Sequence, residues 1–404
     1  MNELASLGII LFFALLAGHL VKIVRIPEVT GYILAGVAVG PSFLGWITHE
    51  NLSSLEVFSE VALGLILFSI GSVFEFTAFR HLARKAVLIT LVESLLAGGI
   101  VAAGMLALGQ PWTISLLLGA ISMETAAATT LMVVRESNAA GELTETLKGL
   151  IAINNICCLI GFSLVAAVVD LSIKASSPDA AIAQALYESL YPLVWQLFGS
   201  VALGFLIGVL LSFWSSHIEE QGETLILMAG AVLLCVGFAD WLELSPLIAS
   251  LAVGATMVNL TAHSRQLFQA LSRTDPPLYA IFFVIAGADM NIAALPTLGL
   301  LGVIYVVGRA AGKLIGTRTG AKYAGASETV QKYLGFTTLA QAGLAIGLVL
   351  VTNQRFPELG PKIATIVLAA VAVFELIGPL AAKFALARSG ESQAQSSEPA
   401  VLLD

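Results

Sequence analysis

The sequence predicts an all-α integral membrane protein of thirteen transmembrane helices, arranged as two six-helix inverted repeats joined by a linker helix. Three observations predict it. Hydrophobic residues make up 58% of the 404 positions and charged residues only 11%, with a mean hydropathy of +0.93, whereas a soluble protein carries about 25% charged residues. Apolar runs of about 20 residues, enough to cross a hydrocarbon core as helices, recur thirteen times. Six runs, a seventh and six more set the first and eighth entering the membrane from opposite sides, the arithmetic of an inverted repeat with its site near midplane.

Span 1, about 4–21, follows only Met1, Asn2 and Glu3, so it lacks the basic leader of a secretory signal and is expected to stay as a helix. Spans 2 and 3 follow at 29–46 and 55–74, and span 4, at 86–108, carries Glu93 moderately deep. Span 5, at 112–134, holds the small, hydroxylated and acidic run "SMETAAATT" at its centre. Span 6, at 149–172, contains "LIAINNICCL", in which Asn154 and Asn155 need a partner other than lipid. Span 7, at 188–214, is the linker, and spans 8 to 10 run over 222–240, 244–261 and 276–295. Span 11, at 297–317, carries Arg309 and Lys313; span 12, at 330–352, carries "FTTLAQAGLAIG" with Gln341; span 13, at 363–387, carries Glu375. Spans 5 and 12 are poor lipid-facing helices, and the pattern predicts that both are broken, lining a cavity where freed carbonyls and helix ends hold ions, the alternative being tight packing through small residues with no break. The polar tail 389–404 is expected to be disordered.

Basic residues set the orientation. One set of loops holds Lys22, Arg25, Arg84, Lys85, Arg135, Lys148, Lys322 and Lys383 among others, while the opposite set holds only Lys174, Arg355 and Lys362. The N-terminus is therefore expected outside and the C-terminus in the cytoplasm, in a multi-pass protein of the cell (inner) membrane. Cys157, Cys158 and Cys235 all lie within apolar spans and read as small buried hydrophobes. The five histidines show no metal-like spacing and no nucleophile is arranged with one. An enzyme, a resident cofactor and a nucleic-acid partner are not expected.

A charge at membrane depth costs several kcal/mol unless paired or hydrated, so each is a functional candidate. Glu60, Asp240 and Asp289 lie toward span ends and are read as solvated or structural. Glu124, Arg309 and Glu375 lie near the middle. Arg309 keeps its proton and needs an anion; Glu124 is the first partner expected, with Glu93 and Glu375 behind it. Lys313, one turn from Arg309, is expected to snorkel to the interface. Ser122, Thr129 and Thr130 are expected to bond back to their own helix, with Thr125 kept as an oxygen ligand.

The stretches "VTGYILAGVAVGPSFLG", "LGLILFSIGSVFE", "FFVIAGADM" and "LAQAGLAIGLVL" together resemble the monovalent cation:proton antiporter-2 family, over essentially the whole chain and in family order. The resemblance implies a homodimer of single-domain transporters (1–388). A core domain (about 86–172 and 297–388) would slide like an elevator against a dimerisation domain (about 1–80 and 222–295), with 188–214 as linker. It also implies an ion site where spans 5 and 12 cross, beside an acidic pair on span 6 and a basic residue matching Arg309. Asn154 and Asn155 fall on that pair, so the expected aspartate is replaced by an amide.

An amide oxygen ligates Na⁺ or K⁺ but carries no proton. Coupling therefore needs another carboxylate. Glu124, directly before Thr125, is the expected substitute, with its side chain pointing into the crossing; Glu375 is second. One carboxylate exchanging one proton for one monovalent cation moves no net charge. The first reading is thus electroneutral exchange of Na⁺ or K⁺ for H⁺. An uncoupled carrier of the same fold, or a non-transporting sensor or scaffold, stand as alternatives.

Overall fold

A computed structural model describes residues 3–24, 26–174, 191–192, 194–218, 221–261, 264–272, 274–290 and 299–392. Among the described residues every regular element is helical. The helices are α1 (Glu3–Ile23), α2 (Glu28–Val39), α3 (His49–Gly71), α4 (Phe76–Ala107), α5 (Trp112–Ser122), α6 (Ala127–Glu136), α7 (Glu142–Lys174) and α8 (Ser200–Ser215). They continue with α9 (Gln221–Trp241), α10 (Pro246–Leu260), α11 (Ser264–Ser272), α12 (Asp275–Asp289), α13 (Gly299–Tyr323), α14 (Glu328–Thr337), α15 (Gly343–Arg355) and α16 (Gly360–Ser389).

Nine stretches among the described residues are long and apolar enough to cross a membrane. Three apolar helices, α2, α10 and α12, are shorter. Span 2, expected to reach residue 46, stops at Val39 because Gly40 turns extended and Pro41 cannot continue a helix. The turn that follows is tied across by the Ser42 hydroxyl donating to the Met290 carbonyl at 2.8 Å. The start of span 7, residues 291–295 of span 10, the first residues of span 11 and the tail from 393 lie outside the described residues.

Helix packing follows small residues. The most extensive helix pair is α4 with α13, and α13 presents Gly312, Gly316 and Gly320 to it. A Cβ at these positions would sit 2.5 Å from Ala97 Cα, 2.7 Å from Glu93 Cα and 2.9 Å from Ile89 Cα. Only glycine permits that approach, the small-residue seam of membrane helices. α4 also packs on α5 and α7, and α16 on α14, α15 and α6. Elsewhere α2 packs on α12 and α1, and α10 on α8 and α3.

Both expected breaks are present. α5 ends at Ser122 and α6 resumes at Ala127; α14 ends at Thr337 and α15 resumes at Gly343. Neither break contains proline, so tertiary bonds hold them open. The Ala126 N–H donates to the Ala340 carbonyl at 3.0 Å, and the Thr130 hydroxyl to the Thr337 carbonyl at 3.4 Å. Irregular backbone is tolerated because bonds between the breaks and from buried side chains of α13 pair its freed groups.

Candidate functional site

Two unwound segments facing each other free a cluster of carbonyls, and two basic side chains of α13 collect them. Arg309, fully buried, donates through Nε to the Ser122 carbonyl (3.1 Å), through Nη1 to Leu339 (2.6 Å) and through Nη2 to Glu124 (2.6 Å) and Ala340 (3.1 Å). Its guanidinium also lies 4.3 Å from the Phe374 ring centroid. The sequence suggested an ion pair between the Arg309 and Glu124 side chains. Instead Arg309 grips the Glu124 main chain and cross-links both breaks, because five fixed donors suit a ring of carbonyls.

Lys313 corrects a second expectation. It does not snorkel but is fully buried, paired with the carboxylate of Glu93 on α4, itself fully buried. Its ammonium also donates to the Met123 carbonyl (2.6 Å) and the Thr125 hydroxyl (2.8 Å). The glycine seam explains this: α4 comes so close to α13 that Glu93 lies within reach of a side chain that would otherwise stretch to the interface. Thr125, expected as a free cation ligand, therefore already serves Lys313.

The two asparagines diverge. Asn154 turns toward α4 and the first break, its Nδ2 donating to Glu93 Oε2 (3.2 Å), Ser94 Oγ (3.2 Å) and the Met123 carbonyl (3.0 Å). Its Oδ1, and that of Asn155, are buried without a hydrogen-bond partner among the described residues. Asn155 lines a small cavity of about 30 Å³ with Ala127, Ala152 and Leu344 on one side and Leu67, Ile70 and Leu251 on the other. That is room for about one water or one desolvated monovalent ion.

Glu124 is 2% exposed, and its Oε2 accepts from the Ala342 N–H of the opposite break at 3.3 Å. Glu375 on α16 is buried, with the Thr129 hydroxyl 3.0 and 3.1 Å from its two oxygens. Thr129 and Thr130 thus reach across to other helices rather than to their own; Ser122 does bond back, to Gly119 at 2.6 Å. Gln341 donates to the Ile121 carbonyl (3.2 Å) and to the Tyr305 hydroxyl (3.0 Å). Tyr305, Ser94 and the Met123 carbonyl were not singled out from the sequence. The four-residue glycine spacing on α13 was the available signal, since it marks the face on which another helix comes close.

A helical membrane chain with two opposed mid-span breaks, bridged by buried bases and lined by acids, has the build of an ion exchanger. A sequence profile for the transmembrane sodium/hydrogen exchanger family matches residues 8–388. The chain belongs to that family. It is similar to the ammonium/H⁺ antiporter subunit AmhT of Alkalihalophilus pseudofirmus, 25% identical over 84% of each chain. It is also similar to a Na⁺/H⁺ antiporter of Enterococcus hirae, 22% identical over 95% of this chain and 98% of that one. Its fold matches the sodium proton antiporter MjNhaP1 of Methanocaldococcus jannaschii, with a TM-score of 0.70 at 17% identity over 96% of this chain and 97% of that one. The family match bears out the resemblance to cation:proton antiporters read from the motifs.

In this exchanger a second, larger cavity of about 490 Å³ opens beside the first. Ser69, Ser72 and Tyr279 form one wall, Leu131, Arg135 and Lys148 the other. It lies toward the side where the basic loops cluster, and it shares Ile70 with the small cavity at Asn155.

Proposed function

We propose that the protein exchanges a monovalent cation for a proton, with Glu124 as the carboxylate that binds either. The observation that carries this reading is the charge balance of the buried cluster. Among the described residues the buried acids here are Glu93, Glu124 and Glu375 and the buried bases are Arg309 and Lys313. Glu93 is paired with Lys313, and Arg309 spends its donors on carbonyls of both breaks. If all five groups are ionised, one negative charge is left over. A proton or a monovalent cation neutralises it equally well, and each excludes the other.

Glu124 is the best seat because its carboxylate makes a single long bond, to a backbone N–H in the crossing. A carboxylate with that little hydrogen bonding has lone pairs left for a hard cation. Asn154 and Asn155 act as neutral struts and ligands. One charge replaced by one charge makes the exchange electroneutral.

Alternating access follows an elevator scheme: α4 to α7 and α13 to α16 move as a core against α1 to α3 and α9 to α12, in a homodimer of thirteen-span chains whose two repeats meet at the crossing. The N-termini face outside and the C-termini the cytoplasm. The relatives act on Na⁺ or ammonium by their names, so the cations to test are Na⁺, K⁺, Li⁺ and ammonium. Proteoliposomes carrying a trapped pH dye and a preset pH gradient should dissipate it on addition of at least one of these. Folded protein that moves no protons with any of them would contradict the reading.

A further inference from the structure

Helix α2 begins at Glu28 after Pro27, whose side chain offers no cap. The acceptor for its first N–H comes from 108 positions away in sequence: Glu136 Oε2, at the end of α6, takes the Glu28 N–H at 2.7 Å. The other oxygen, Oε1, is held by Lys383 of α16 at 3.0 Å. Glu28's own carboxylate is engaged elsewhere, by Lys22 at 2.5 Å and by the Tyr32 hydroxyl at 2.9 Å. The acid and its counter-ion therefore sit on the helices that carry Glu124's break and Glu375. The donor sits on α2, which packs chiefly on α1 and α12.

A charged hydrogen bond of this length, aimed at the positive end of a helix, is lost within about 1 Å of displacement. Sliding of α6 and α16 past α2 must break it, whereas the Glu136–Lys383 pair travels intact. We infer that Glu136 is a positioning residue, a latch that stabilises the conformation in which the Ser69–Arg135 cavity is open. This rests on the alternating-access reading above. Without the latch the protein shifts toward the conformation open on the other side.

The test uses the full chain in proteoliposomes of defined orientation. Glu136→Ala should raise the KM for the cation presented on the basic-loop side and lower it on the opposite side, each by about three- to tenfold. Glu136→Gln, which keeps an acceptor oxygen, should shift both less. A merely structural role lowers the maximal rate from both sides without reciprocal KM changes, and that result would overturn the latch. A readout independent of transport is labelling of Ser69→Cys by a membrane-impermeant maleimide, in a chain whose three native cysteines are alanine. Labelling should slow several-fold when Glu136→Ala is added. Unchanged labelling overturns the latch; slowed labelling in a protein that moves no cation supports the latch and removes the exchange reading instead.

Discussion

At the scale of single residues, the site is a contest for a few buried charges, and the losers are as informative as the winner. Glu93 is already satisfied by Lys313, so removing either partner alone strands the other in a medium that solvates it poorly. Glu93→Gln and Lys313→Met should each destabilise the protein by about 3 kcal/mol or more, read as lowered midpoints in thermal unfolding in detergent. The double variant should recover most of the loss. Arg309→Lys should also unfold early, because one ammonium cannot reproduce four bonds to carbonyls on two segments. Depth in the sequence was enough to single out Glu124, Glu375 and Arg309. It was not enough to pair them: whether Lys313 snorkels or turns inward depends on which helix covers its face, and a hydropathy profile does not contain that.

At the scale of elements, the two breaks were legible because "SMETAAATT" and "FTTLAQAGLAIG" are runs that no lipid-facing helix would carry. What sequence patterning left out is how they are held, since the bonds from Ala126 to Ala340 and from Ala342 to Glu124 join residues more than two hundred positions apart. The α4–α13 seam sets the register of the whole cluster. Gly316→Leu would drive a side chain into the Glu93 backbone, and should cost about 3 kcal/mol and abolish exchange, whereas substitution at Gly347, which meets nothing, should be tolerated. Thermal unfolding and transport of the two variants side by side check this.

At the scale of the whole molecule, nine spans of sufficient length and apolarity among the described residues and the family match over residues 8–388 make this a multi-pass exchanger. The all-helical, multi-pass character was readable because apolar length is dictated by the bilayer and is nearly independent of packing. The length of α2 was overestimated because an apolar run does not reveal where a turn, here at Gly40 and Pro41, replaces helix. The electroneutral scheme makes a prediction of its own. Carrying one net charge per cycle would tie exchange to membrane potential by about 2.3 kcal/mol per 100 mV; the rate should instead be nearly unchanged when a potassium-diffusion potential of about 100 mV of either sign is imposed, with a non-potassium substrate.

The proposed relocation gives Glu124 the work that Asn155 cannot do. The most direct test is cation-driven proton flux in proteoliposomes of wild type, Glu124→Gln and Glu375→Gln, each shown folded by its unfolding midpoint. Flux is expected in wild type and Glu375→Gln and none in Glu124→Gln. Cation-dependent flux that persists in Glu124→Gln would contradict it.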